Sequence, residues 1–162
     1  MTQPTSIPSV KPAPKFKNRR RLSRELAVQG IYQWRQAQGE VRDIIAQLHE
    51  TKIFARADKT YFEDLLNGAL EHALELQTHI QPCLDRQLTE LSPVEYSILL
   101  LGAYELVHHP EIPYRAIINE AIELAKSYGG TDGHRYVNGV LDKLATALRI
   151  AETGMSTSSK KK

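Results

Sequence analysis

Four arginines within six residues, Arg19, Arg20, Arg21 and Arg24, follow Lys11, Lys15 and Lys17, and no acidic residue precedes Glu25. Guanidinium forks bind phosphates bidentately and stack on bases, and phosphate neutralisation releases counterions, so this run suits a polyanion. Residues 25–151 hold eleven basic and eighteen acidic side chains. A formal charge of +2 therefore conceals a cationic lead-in, a body near −7 and a lysine tail. At about 100° per residue, Arg21, Arg24, Val28, Tyr32 and Arg35 share one helical sector, a basic strip carrying an aromatic. A second patch spans Lys126 to Tyr136, where Tyr128, Asp132, His134, Arg135 and Tyr136 surround Gly129, Gly130 and Gly133. Free amides at a helix start there receive phosphate, and Asp132 can bond a base edge. Both patches also have a plainer reading: solvated arginines beside a half-buried Tyr32, and Asp132 as an N-cap that needs no ligand.

Catalytic constellations are sparse. Glu105-x-x-His108 has the spacing of half a di-iron site, but no other histidine has a glutamate three positions earlier, so no metal site is expected. Cys83 stands alone beside Asp85, whose charge opposes thiolate formation. The glycines around Gly129 form neither GxGxxG nor GxxxxGK[ST], which excludes the usual nucleotide loops. No catalytic residue and no cofactor is expected. One cysteine suits a reducing cytosol, and neither an apolar leader nor an eighteen-residue apolar run occurs, so the chain reads as soluble, cytoplasmic and without a membrane span.

The elements that position these residues are helical throughout. Ala27, Gly30, Ile31 and Trp34 form the inward stripe of a helix from Arg19 to Gln38, and Val41, Ile44, Ile45 and Leu48 repeat the pattern. Asp58 caps a long helix running to Ile80, and Pro82 breaks it before a short helix through Leu84 and Leu88. Ser92-Pro93-Val94-Glu95 is a full capping box, opening a helix to Val107 that is apolar on most sides and hence central. Pro113 starts the next helix, Gly129-Gly130 end it, and Thr131 or Asp132 caps the last, with Val137, Leu141, Leu144 and Leu148 inward. About seven helices make an all-α chain, one compact bundle or a pair of smaller ones. The domain is placed at 18–151, between a Pro/Lys-rich disordered leader, 1–17, and a Ser/Lys-rich disordered tail, 152–162.

Five segments carry a resemblance that goes further. Arg24 to Trp34 (RELAVQGIYQW), Tyr61 to Gly68, Leu101 to Leu106, Ile118 to Lys126 and Tyr136 to Lys143 are similar to the NusB transcription antitermination family, in order, from about Arg19 to Leu148. The resemblance implies two packed three-helix bundles with an extra helix, and a non-enzymatic factor. It implies binding to the boxA element of nascent ribosomal RNA leaders with the ribosomal protein NusE. The complex would join elongating RNA polymerase and other Nus factors to suppress premature termination. The RNA-contacting positions carry over to Arg20, Arg21 and Arg24 and to Tyr128, Asp132 and Tyr136, with His134 and Arg135 beside them. Tyr32 and Glu95 resemble positions facing NusE. Departures are Leu22 within the arginine run, tyrosines at 128 and 136 where phenylalanine also occurs, and Gly133 where serine can stand. The alternative is a helical interaction module without specific RNA binding, and homodimerisation of the free chain stays open.

Overall fold

A computed structural model of the chain describes residues 18–128 and 133–153. The expected leader, the Gly129-Gly130 C-cap, the Thr131 and Asp132 caps and the tail from residue 154 lie outside them. The described residues form eight α-helices and no strand: α1 Arg19–Ala37, α2 Val41–Leu48, α3 Lys59–Glu71, α4 Ala73–Ile80, α5 Pro93–His108, α6 Tyr114–Tyr128, α7 Gly133–Leu148 and α8 Ile150–Thr153. None is long and apolar enough to cross a membrane.

Local chemistry sets most boundaries. The Asn18 side chain accepts the Arg21 N–H at 2.7 Å, while Gln38, at φ 56°, closes α1 by donating its N–H to the Trp34 carbonyl. Asp58 accepts the Tyr61 N–H at 3.1 Å. Ser92 accepts the Glu95 N–H at 3.1 Å and Glu95 accepts the Ser92 N–H in return, the reciprocal capping box expected there.

The sequence suggests one helix from Asp58 to Ile80; the structure has two, because His72 adopts φ −103°, ψ 17° and leaves the helical region. No glycine or proline lies within three residues of the bend. The His72 ring instead stacks toward Tyr104 and His108 of α5. From Gln81 on, the chain makes short 3₁₀ turns, Gln81–Cys83 around Pro82 and Leu88–Glu90, in place of the expected short helix. At the other end, composition puts Glu152 in the disordered tail, but the residue ends the fold instead. It accepts the Tyr114 N–H at 2.8 Å, which ties α8 to the start of α6, and pairs with Arg149, between α7 and α8, at 2.6 Å.

Helix α5 is the hub, packed against α1, α3, α4, α6 and α7. Ile98, Leu99, Leu100 and Leu101 are all at most 2% exposed, so the whole circumference of this helix is core. Burial of each such side chain contributes about 1.5–3 kcal/mol. On one side α1 pairs with α3 and touches α2; on the other, α6 and α7 pair with each other. The open end of α5 is plugged by Arg149, which donates to the carbonyls of Leu106 and Ile112 at 3.0 Å and of His109 at 3.1 Å. A cation at a helix C-terminus also meets the negative end of the macrodipole.

His109 bridges α3 to the turn after α5: one ring nitrogen lies 2.6 Å from Asp64 and the other 2.7 Å from Glu111. Burial alone would lower its pKa, but hydrogen bonds to Glu111 and Asp64, with their charges, outweigh it and hold the imidazolium above the ordinary value. A raised folded-state pKa means the bridge contributes fully below the unfolded value, about 6.5, and fades as pH rises through the folded one. The excess stability of the wild type over His109→Gln is therefore expected to be largest below pH 6.5 and to shrink through mildly alkaline pH. Urea unfolding of both proteins across that range checks it, and a gap that widens with pH contradicts the bridge.

Candidate nucleic-acid interface

The arginine run is divided by helical geometry. Arg20 is exposed, with its guanidinium 4.0 Å above the Tyr61 ring centroid. Arg21, with a side chain 35% exposed, forks onto Glu120 of α6, Nε to Oε1 at 2.9 Å and Nη2 to Oε2 at 2.7 Å. Arg24 points inward. Its side chain is 8% exposed and its fork is filled by Glu105, Nε to Oε1 at 3.0 Å and Nη2 to Oε2 at 2.9 Å. Tyr61 donates its hydroxyl to the same carboxylate. Burial first, then the Glu105 charge, pushes the Tyr61 phenol well up. Of the three arginines expected at RNA, Arg20 and Arg21 reach the surface, and Arg24 is spent on joining α1 to α5.

The two expected patches are joined through α6. Arg21 meets Glu120, and eight residues further along both helices Gln29 donates to the Tyr128 hydroxyl at 3.3 Å. Equal spacing on both helices means that α1 and α6 run parallel, with the two contacts about 12 Å apart at 1.5 Å per residue. The C-terminus of α6 thus lies beside the middle of α1, two turns from Arg21. Tyr128 is half-buried, and that burial pushes its phenol up to about 12, so it remains a neutral flat surface at physiological pH.

Tyr136 stands apart from this strip. Its hydroxyl donates to Asp85 at 3.1 Å, and the Arg86 guanidinium covers its ring at 4.3 Å from the centroid. The hydrogen bond from Arg86, at 2.8 Å, holds the Asp85 carboxyl below its usual range. Arg86 is a cation in the patch that sequence spacing did not flag, since Tyr136 lies fifty-one residues from Asp85. Gly133 opens α7 against Glu95, where a Cβ would sit 3.5 Å from Oε2, so Glu95 borders this junction as well as capping α5. Arg135 is exposed; His134 and Tyr32 are half-buried. Asp132 lies outside the described residues. Glu105 is committed to Arg24, so the Glu105-x-x-His108 spacing holds no metal half-site; among the described residues His72, Glu75 and His108 form the one group of metal-ligand type. The surface as a whole offers cations and flat rings for an anionic, stacking ligand.

Residues 21–146 match the model of the NusB family. The chain belongs to the NusB family. It is 72% identical over 137 residues to the transcription antitermination protein NusB of Nitrosomonas europaea, covering 85% of this chain and 82% of that one. The fold is also that of Thermotoga maritima NusB, at a TM-score of 0.71 and 29% identity over 81% of this chain and 93% of that one. A NusB crystallised with NusE and double-stranded RNA, 23% identical, superposes at a TM-score of 0.70 over 78% of this chain and 96% of its own. Membership makes the chain a transcription antitermination factor rather than an enzyme.

Proposed function

We propose that this chain binds the boxA element of nascent ribosomal RNA leaders together with NusE, in the cytoplasm. There it joins elongating RNA polymerase and other Nus factors and lets transcription of rRNA operons pass termination signals. The observation that carries this reading is the pair of side-chain bridges from α1 to α6, Arg21 to Glu120 and Gln29 to Tyr128, which sets Arg21 about two turns from Tyr128. That spacing lets the arginines hold phosphates while the α6–α7 junction, with Tyr128, Asp132, His134, Arg135 and Tyr136, meets bases. Arg24 serves the site by fixing α1 on α5. Tyr32 and Glu95 are assigned to the NusE side. A NusB of this fold binding NusE and RNA together supports the partner set.

The pairing of Arg21 with Glu120 favours a second reading, an interaction module whose arginines are consumed internally. Binding to a boxA RNA and a scrambled control, with and without NusE, separates the two. Arg20→Ala with Arg21→Ala is expected to cost about tenfold in boxA affinity. The log–log salt slope should become shallower by about 0.7 for each phosphate of a single strand that the variant no longer neutralises. Equal affinity of the double variant and the wild type, or no preference for boxA over the scrambled RNA, would overturn the RNA reading.

A further inference from the structure

We propose that His72, Glu75 and His108 bind a single divalent transition-metal ion, with Zn²⁺ best suited, which clamps the α3–α4 bend onto the end of α5. The bend supplies the first observation. His72 breaks the helix with no glycine or proline within three residues, and its ring lies over His108, centroids 4.4 Å apart and planes inclined 30°. Tyr104 lies against the same pair, at 6.3 Å from His72 and 4.9 Å from His108.

The ligand atoms converge. His72 Nδ1 lies 3.3 Å and His108 Nε2 4.0 Å from Glu75 Oε1, and all three groups' ligand atoms lie within 4.8 Å of one another. Two ligands about 2.0–2.1 Å from one tetrahedral ion stand about 3.4 Å apart. The fit therefore needs a small rotation of Glu75, whose side chain is 48% exposed, and a turn of the 36%-exposed His72 ring out of its stack on His108, so that both ring nitrogens aim at the ion. His108 Nε2 supplies an independent observation: it is buried and has no hydrogen-bond partner, a position at odds with the near-universal satisfaction of buried polar atoms. It faces the carboxylate at a distance too long for a hydrogen bond but suited to a shared cation.

His72 lies at the junction of α3 and α4, and His108 is the last residue of α5. Two imidazoles and one carboxylate select zinc-like ions over Mg²⁺ or Ca²⁺, and the solvent-facing side leaves a coordination position for water. The role that follows is structural: α4 carries Gln77, which donates to Tyr96 of α5 at 2.7 Å, and a metal clamp at its first turn fixes that helix from its other end.

The test uses the full chain stripped with EDTA and titrated with Co²⁺, followed by visible absorption and then by Zn²⁺ competition. One Co²⁺ per chain, with the strong absorption of a tetrahedral site and displaced by Zn²⁺, is expected. Glu75→Gln lies at an exposed position, so its folding should be intact; it and His108→Gln should each weaken the ion by at least about tenfold. His109→Gln, at the neighbouring imidazole held by Asp64 and Glu111, should bind as the wild type does. Zn²⁺ should also raise the Tm of the wild type and not that of Glu75→Gln. No stoichiometric binding by the wild type, or equal binding by wild type and Glu75→Gln, overturns the site.

Discussion

Arg24→Ala is expected to cost about 3–5 kcal/mol of folding stability, the usual penalty for removing one member of a buried ion pair. Glu105, with a side chain 2% exposed, would lose both donors of the guanidinium fork and keep only the Tyr61 hydroxyl. Either the carboxylate takes up a proton or water must enter between α1, α3 and α5. The Tm should fall on the order of 10 °C, at about 2–4 °C per kcal/mol for a chain of this size. The penalty belongs to the orphaned charge rather than to the pair itself. Arg24→Met combined with Glu105→Met should therefore return to within about 1.5 kcal/mol of the wild type, since apolar replacement of a buried pair is often neutral or better. Denaturant unfolding of the three variants decides it, and an Arg24→Ala loss below about 1 kcal/mol would contradict a buried pair. The same series separates fold from function. If the stable double methionine variant binds boxA RNA as the wild type does, Arg24 acts only by seating α1. If affinity stays low in that folded protein, the guanidinium meets RNA directly.

The division of the arginines shows which physics is legible in a sequence. Caps act over three or four residues, so Asp58 before α3 and the Ser92–Glu95 box before α5 could be read at once and are seen in place. The all-round apolarity of Ile98 to Leu101 likewise marked α5 as the hub, because no helix face there could tolerate water. Partners 81 and 99 residues away left no local trace: nothing near Arg24 names Glu105, and nothing near Arg21 names Glu120. Helical phase placed Arg21 and Arg24 in one sector, yet burial depends on what packs opposite, and the α5 and α6 carboxylates turned both away from open solvent to different degrees. The bend at His72 was hidden for the same reason. It coincides with a stack of rings from α5, and no glycine or proline, the local signals for a bend, lies within three residues of it. Arg149, a buried cation that closes α5 from the far end of the chain, carries no spacing signal at all.

Gly68→Ala should destabilise the fold by about 2–3 kcal/mol, toward the upper end of the usual overpacking cost. A Cβ on Gly68 would fall inside the contact distance of the Tyr104 ring and hydroxyl, the tightest approach of any described glycine. Tyr104 has nowhere simple to go. It is 5% exposed, donates its hydroxyl to Asp64 at 3.0 Å, and packs on His108 and His109 at 4.9 and 5.6 Å between centroids. Moving the ring breaks the hydrogen bond to α3 and both ring contacts; keeping it forces α3 and α5 apart along the hub of the fold. Against this, alanine gains about 1 kcal/mol over glycine within a helix, which the steric cost must exceed. That competition makes the prediction checkable by a change of sign. In a Tyr104→Ala background the clash is gone and only the helix preference remains, so Gly68→Ala should there stabilise by up to about 1 kcal/mol. Urea unfolding of the four proteins gives the coupling directly. A Gly68→Ala cost that is equal in both backgrounds would place the strain elsewhere in α3 and leave the α3–α5 contact without need of a glycine.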